Sequence, residues 1–129
     1  MQPINRWAWC GVALSGALMV VLGAYAAHGL SARVSAELVS AVETGVRYQA
    51  WHTLAIMVVL VWRHVQPMAG QRWVMALWAL GMLCFSGSLY LMALAGLSLG
   101  IVTPIGGVFL ISGWLTLGVV ALAGGRKVI

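Results

Sequence analysis

The chain is nearly without acid. Glu37 and Glu43 are the only side-chain carboxylates among 129 residues, and charged residues make up 7% of the whole. A soluble domain carries about 25% charged residues, so this composition excludes that class and leaves an integral membrane protein. The lack of any carboxylate inside the apolar runs argues against a carboxylate-based proton-coupled transporter. Cysteine is scarce too. Cys10 and Cys84 both lie within apolar runs, with no CxxC and no Cys/His zinc spacing, so neither a disulfide framework nor a metal site follows from them. Phosphate-binding loops, dinucleotide fingerprints and haem-attachment motifs are missing, as is any nucleophile–base spacing. No cofactor is implied. A net charge of +5 raises the question of nucleic acid. Five of the seven basic residues flank apolar runs, however, where they fix orientation against anionic lipid, and no basic face remains for nucleic acid.

What is present is hydrophobic, at 63% of residues. The expected fold class is all-α: an integral membrane four-helix bundle in a single transmembrane domain over residues 1–129. Spans are expected at about 7–27, 48–65, 73–97 and 103–123, each long enough or nearly long enough to cross about 30 Å of hydrocarbon at 1.5 Å per residue. Ala24-Tyr25-Ala26 has the small-x-small form of a signal-peptidase site, but the apolar run before it is longer than a signal peptide needs, so a retained first span is expected. Between the first two spans, Val34, Leu38, Val42 and Val46 recur every four residues. They predict a short amphipathic helix at about 31–46, bent or ended by Gly45, that lies on lipid or caps the bundle. Thr103-Pro104 reads as a helix start, with threonine as cap and proline at the first helical position.

Four spans would put Arg6, Arg63, Arg72, Arg126 and Lys127 on one side, and Arg33 and Arg47 with both glutamates on the other. The positive-inside rule then gives a multi-pass protein of the bacterial inner membrane with both termini cytoplasmic. This topology also sets depth. His28, Tyr48, Gln49, His52, Ser86, Ser88, Tyr90 and Thr103 all fall in the outer half of one bundle, and Tyr48/His52 and Ser86/Tyr90 share helix faces at i,i+4. Polar side chains at that depth need partners on other helices. Interhelical bonding, with His52 on Tyr90 or Gln49 on Ser88, is the expectation. The sharper alternative is a functional site in which two histidines carry protons. A metal site is not expected, because two histidines are too few ligands unless Glu37 folds over them.

Gly11 and Ser15, Gly16 and Gly23, and Gly106 and Gly113 fall at helical repeats that let backbones approach, and Gly87 and Gly107 belong with them, so these positions are expected to mediate helix packing. A second reading has the backbone N–H groups at Gly106-Gly107 offered to an anion or a lipid headgroup. Trp114 is expected to pack.

The same segments carry a family resemblance. Gly23-Ala24-Tyr25-Ala26-Ala27-His28-Gly29-Leu30 is similar to the Gly-Ala-Phe-Gly-Ala-His-Gly-Leu signature of domain-of-unknown-function family 423. Tyr48-Gln49-Ala50-Trp51-His52 resembles that family's Tyr-Gln-x-x-His segment. Phe85-Ser86-Gly87-Ser88-Leu89-Tyr90 and Thr103-Pro104-Ile105-Gly106-Gly107 resemble its two other hallmark stretches. The resemblance covers nearly the whole chain, departing at Tyr25-Ala26 where Phe-Gly is common. It implies a small bacterial inner-membrane protein with four spans, related to animal transmembrane protein 256. It implies no activity, since the family has no established biochemical role.

Three functions are therefore weighed. The leading one is a non-enzymatic accessory or structural membrane protein, partnered by the lipid bilayer and acting alone, as a homo-oligomer or in a larger membrane complex. A small-solute or ion transporter using the outer polar cluster comes next, and a lipid- or quinone-linked membrane enzyme last.

Overall fold

In the computed structural model, which describes residues 2–124, the chain forms four α-helices and one short 3-10 turn: α1 (Pro3–His28), the turn at Leu30–Ala32, α2 (Ala36–Val65), α3 (Gly70–Ala95) and α4 (Val102–Leu122). Arg126 and Lys127, on which part of the charge asymmetry rests, lie outside the described residues. The all-α expectation stands. α1, α3 and α4 are each long and apolar enough to cross a membrane. α2, with Glu37, Glu43, Arg47, Gln49 and His52 in its first part, does not meet the same standard.

The separate amphipathic helix at 31–46 is corrected. Its start moves to Ser35, whose side chain accepts the Leu38 N–H at 3.3 Å and caps α2. The helix then runs unbroken through Gly45 to Val65, 30 residues or about 45 Å of rise. A mid-helix glycine costs about 1 kcal/mol relative to alanine. Here the cost is offset by close approach: the Tyr90 ring covers Gly45, and Ser86 Oγ donates to the Gly45 carbonyl at 2.7 Å. The apolar stripe expected on this segment is real. Val34, Leu38, Val42 and Val46 pack with Ala26 and Leu30 from the α1 end and with Tyr90 and Ala93 from the α3 end. The segment caps the bundle.

Each helix packs on its neighbour in sequence, α1 on α2, α2 on α3 and α3 on α4, while α1 makes no backbone approach to α3 or α4. The α3–α4 seam is the tightest because glycine meets bulk along it. Gly81 faces Leu110, Gly113 faces the Trp78 indole, and Gly106 lies against the backbone of Cys84 and Phe85. The main core gathers Val12, Ile56, Val59, Leu60, Val74, Trp78, Leu110 and Val120.

The turns are closed by specific groups. Gln71, fully buried, accepts the Met68 N–H at 2.8 Å and donates to the Gln66 carbonyl at 3.1 Å, fastening the α2–α3 connection. Gly96, at φ 67°, ends α3 in the left-handed conformation that glycine adopts freely. The start of α4 differs from its expected form. Ile101 is the residue before the helix, so Thr103 is its second residue and its hydroxyl is used elsewhere.

Candidate functional site

The polar groups expected to share one cluster form two networks back to back across α2. The first joins α1, α2 and α3. Tyr90 Oη donates to Gln49 Oε1 at 2.6 Å, and Gln49 Nε2 donates to both the carbonyl and the hydroxyl of Ser15 at 3.0 Å. Ser15 Oγ lies 2.7 Å from Thr53 Oγ1, and Thr53 Oγ1 donates to Met82 Sδ at 3.6 Å. Because Thr53 has one proton and gives it to sulfur, Ser15 is the donor to Thr53. The hydrogen bonds thus point one way, from Tyr90 through Gln49 and Ser15 to Thr53.

The second lies between α2, α3 and α4, and its hydrogen bonds fall in two separate pieces, one at His52 and one at Ser88. His52 Nδ1 lies 2.6 Å from the Tyr48 carbonyl, which can only accept, so Nδ1 carries the proton. Trp114 Nε1 donates to His52 Nε2 at 3.0 Å, so that nitrogen is the acceptor. His52 is therefore a neutral imidazole with both nitrogens engaged, 3% exposed. Aromatic rings surround it, with Tyr48 stacked at 6.2 Å and Trp78 and Trp114 edge-on at 6.1 and 5.8 Å. Above it, Ser88 donates to the Phe85 carbonyl at 2.9 Å and meets Thr103 Oγ1 at 2.5 Å, which ties α3 to α4.

Several expected pairings are thereby replaced. His52 does not reach Tyr90 and Gln49 does not reach Ser88; each finds its partner on the opposite side of α2. His28 ends α1 as an exposed residue and joins neither network. Among the described residues no three His, Cys, Asp or Glu side chains gather as metal ligands. Gly106 and Gly113 do mediate packing, whereas Gly23 and Gly107 make only ordinary contact. Gly11, Gly16 and Gly87 face open space, so their spacing does not reflect packing within one chain. The anion reading of Gly106-Gly107 is also corrected, since Gly106 is sealed against α3.

Sequence reasoning missed Thr53, Trp114 as a donor, and Arg63, whose Nη1 is buried without a partner among the described residues. It also missed a groove of about 510 Å³ that opens where α1 and α3 fail to meet, floored by α2.

Comparison with known proteins places these features. The model of a protein family of unknown function, DUF423, matches residues 22–107, which take in all of α2 and α3. The chain belongs to the DUF423 family. This DUF423 protein is 42% identical to the UPF0382 inner membrane protein YgdD of Escherichia coli K12 over 124 residues, 95% of each chain. It is 42% identical to a UPF0382 membrane protein of Haemophilus influenzae over 107 residues, 82% of this chain and 86% of the relative. A Staphylococcus haemolyticus UPF0382 membrane protein is 40% identical over 106 residues, 81% and 86% of the two chains. No solved structure matches. Like these relatives, the DUF423 protein is a small membrane protein, and their names carry no biochemical role.

Proposed function

We propose that this DUF423 protein crosses the inner membrane four times, with both termini cytoplasmic, and works without catalysis as a structural or accessory component of the membrane. The bonding of His52 carries the second part. Both imidazole nitrogens are taken up by Tyr48 and Trp114, so the most chemically versatile side chain inside the bundle is spent on holding α2 to α4. The orientation is supported by Arg6, Arg63 and Arg72 at one end, in company with Trp7, Trp62 and Trp73, against Arg33 and Arg47 at the other. α2 is long enough to span despite its polar first half, since its 30 residues exceed what about 30 Å of hydrocarbon needs and the exposed Glu37, Glu43 and Arg47 fall in the part that is left over.

Reporter fusions test the orientation. Alkaline phosphatase should be inactive when joined near Pro67 and active when joined near Leu97. Proteoliposomes test the role. The small-solute or ion pathway is the second reading, favoured by the groove reaching Gln49, Thr53, Ser86 and Tyr90. Vesicles carrying the protein should be no leakier to protons, sodium or potassium than empty ones. A flux that His52→Gln or Gln49→Leu abolishes would replace the structural reading with a transport one.

A further inference from the structure

We propose that the groove between α1 and α3 is a phospholipid site, with the lipid phosphate held by Arg63 and Arg72 and one acyl chain lying lengthwise between the helices. The groove, at about 510 Å³, is within the roughly 300–1,000 Å³ of ordinary small-molecule sites. Along α1 it extends from Ile4 to Leu18, about 21 Å of helix rise. Its exposed walls are mostly aliphatic, including Leu14, Met75 and Leu83, with Gln49, Thr53 and Tyr90 bonded to one another or to neighbours at its floor, and both Arg63 and Arg72 line it. Cβ atoms built at Gly11 and Gly87 would meet nothing within 4 Å, so the trough stays open along its length.

The arginine end runs into a second recess of about 550 Å³, lined by Gln2, Pro3, Asn5, Arg63, His64 and Pro67. The two recesses share Asn5 and Arg63. They adjoin there, a recess lined by polar groups at the helix ends beside an apolar channel along the bundle. That is the shape and polarity of a phospholipid.

Arg63 supplies the independent reason to expect an anion there. Its Nη1 is buried with no partner among the described residues. Glu43 and Glu37, the only carboxylate side chains, lie 20 and 26 residues earlier on the same helix, about 30 and 39 Å away along its axis. Neither can reach the guanidinium. A buried guanidinium N–H left unpaired is costly, and turning that N–H out into the groove would pair it with a phosphate, whose oxygens the planar fork matches in two-point contact. Arg72, exposed at the start of α3, adds a second cation to the same groove. A free inorganic anion would satisfy the arginines but leave the apolar channel empty; a transmembrane helix without an acidic side chain would cover the channel but leave Arg63 unpaired.

Native mass spectrometry of the full chain in detergent, with phosphatidylglycerol added, tests this. One lipid per chain should survive activation energies that strip all others. Arg63→Gln with Arg72→Gln should lower its retention at least tenfold. Gly87→Leu should do the same by filling the channel, and because that position is open the unfolding temperature measured without added lipid should not fall. Retention unaffected by the double arginine variant overturns the proposal. So does inorganic phosphate displacing the lipid at equal concentration, which would mark a free-anion site. A lipid-free dimer that Gly87→Leu dissociates would overturn it too, by giving the groove to a second copy. Only the leaflet supplying the lipid rests on the proposed orientation, and the reporter fusions test that separately.

Discussion

Trp114 on α4 donates its indole N–H to His52 Nε2 at 3.0 Å, and that bond makes Nε2 the acceptor nitrogen of the ring. With the Tyr48 carbonyl at Nδ1, the ring is required to be the Nδ1–H form. Nitrogen-15 NMR of selectively labelled protein at neutral pH should show one protonated and one bare ring nitrogen, with the bare one shifted by Trp114→Phe. Interhelical hydrogen bonds in membranes contribute about 0.6 kcal/mol on average and up to about 1.7. Trp114→Phe should therefore cost on the order of 1 kcal/mol in reversible unfolding. His52→Ala should cost more, because it also removes ring packing against Tyr48, Trp78 and Trp114. A wild-type spectrum with both nitrogens protonated would refute the assignment.

The Gln49 amide is the hub for α1. Its Nε2 makes both bonds to Ser15, its Oε1 accepts from Tyr90, and α1 approaches no helix but α2. Gln49→Leu should thus loosen α1 in particular, by about 1–2 kcal/mol from the loss of bonds worth about 0.6 kcal/mol each. Hydrogen exchange should rise in the α1 segment around Ser15 while α3 and α4 stay protected. Exchange rising evenly over all four helices would contradict a local role.

The sequence made some of this legible and hid the rest for physical reasons. Gln49, Ser86, Ser88 and Tyr90 stood out because hydroxyls and amides inside apolar runs must find partners, and all four do. Which partner each finds depends on the rotation of every helix about its axis, and spacing within one segment does not carry that. Hence His52 turned toward Trp114 instead of Tyr90. An indole in an apolar run looks like packing whether or not its N–H is used. The continuity of α2 was hidden for a related reason: Gly45 is a plausible stop by propensity, and only the Tyr90 ring lying over it reveals a contact position. The groove was invisible because it arises from two helices failing to meet.

The glycines separate into two kinds that substitution to alanine should distinguish. At Gly106 an added Cβ would lie 2.8 Å from the Cys84 carbonyl carbon and from Phe85 Cα, and backbone there cannot yield cheaply. Gly106→Ala should cost about 1–3 kcal/mol as overpacking. At Gly11 and Gly87 the same atom meets nothing, so alanine should be neutral or stabilising by up to about 1 kcal/mol through helix propensity. Unfolding midpoints of the three variants in one detergent check this. If Gly87→Ala is as damaging as Gly106→Ala, the face at Gly87 is covered by something outside this chain.

Gln71 concentrates the stability of the α2–α3 connection in one side chain. It is fully buried, and its amide bonds the Met68 N–H and the Gln66 carbonyl, two backbone groups of a turn that no helix satisfies. Truncation removes both partners at once and leaves backbone donors and acceptors unpaired at about 1–3 kcal/mol each, reduced wherever water from the adjacent headgroup region reaches them. Gln71→Ala should cost at least about 1 kcal/mol. Gln71→Glu keeps the acceptor for Met68 but turns the donor toward Gln66 into a second acceptor, so it should recover little of the loss. Limited proteolysis at 66–69 supplies the local readout: cleavage should accelerate in both variants while the 96–101 connection keeps its wild-type rate. An alanine variant cut no faster than wild type would mean that the packing of Ile56, Val59 and Leu60 on Val74 and Trp78 holds the α2–α3 hairpin without Gln71.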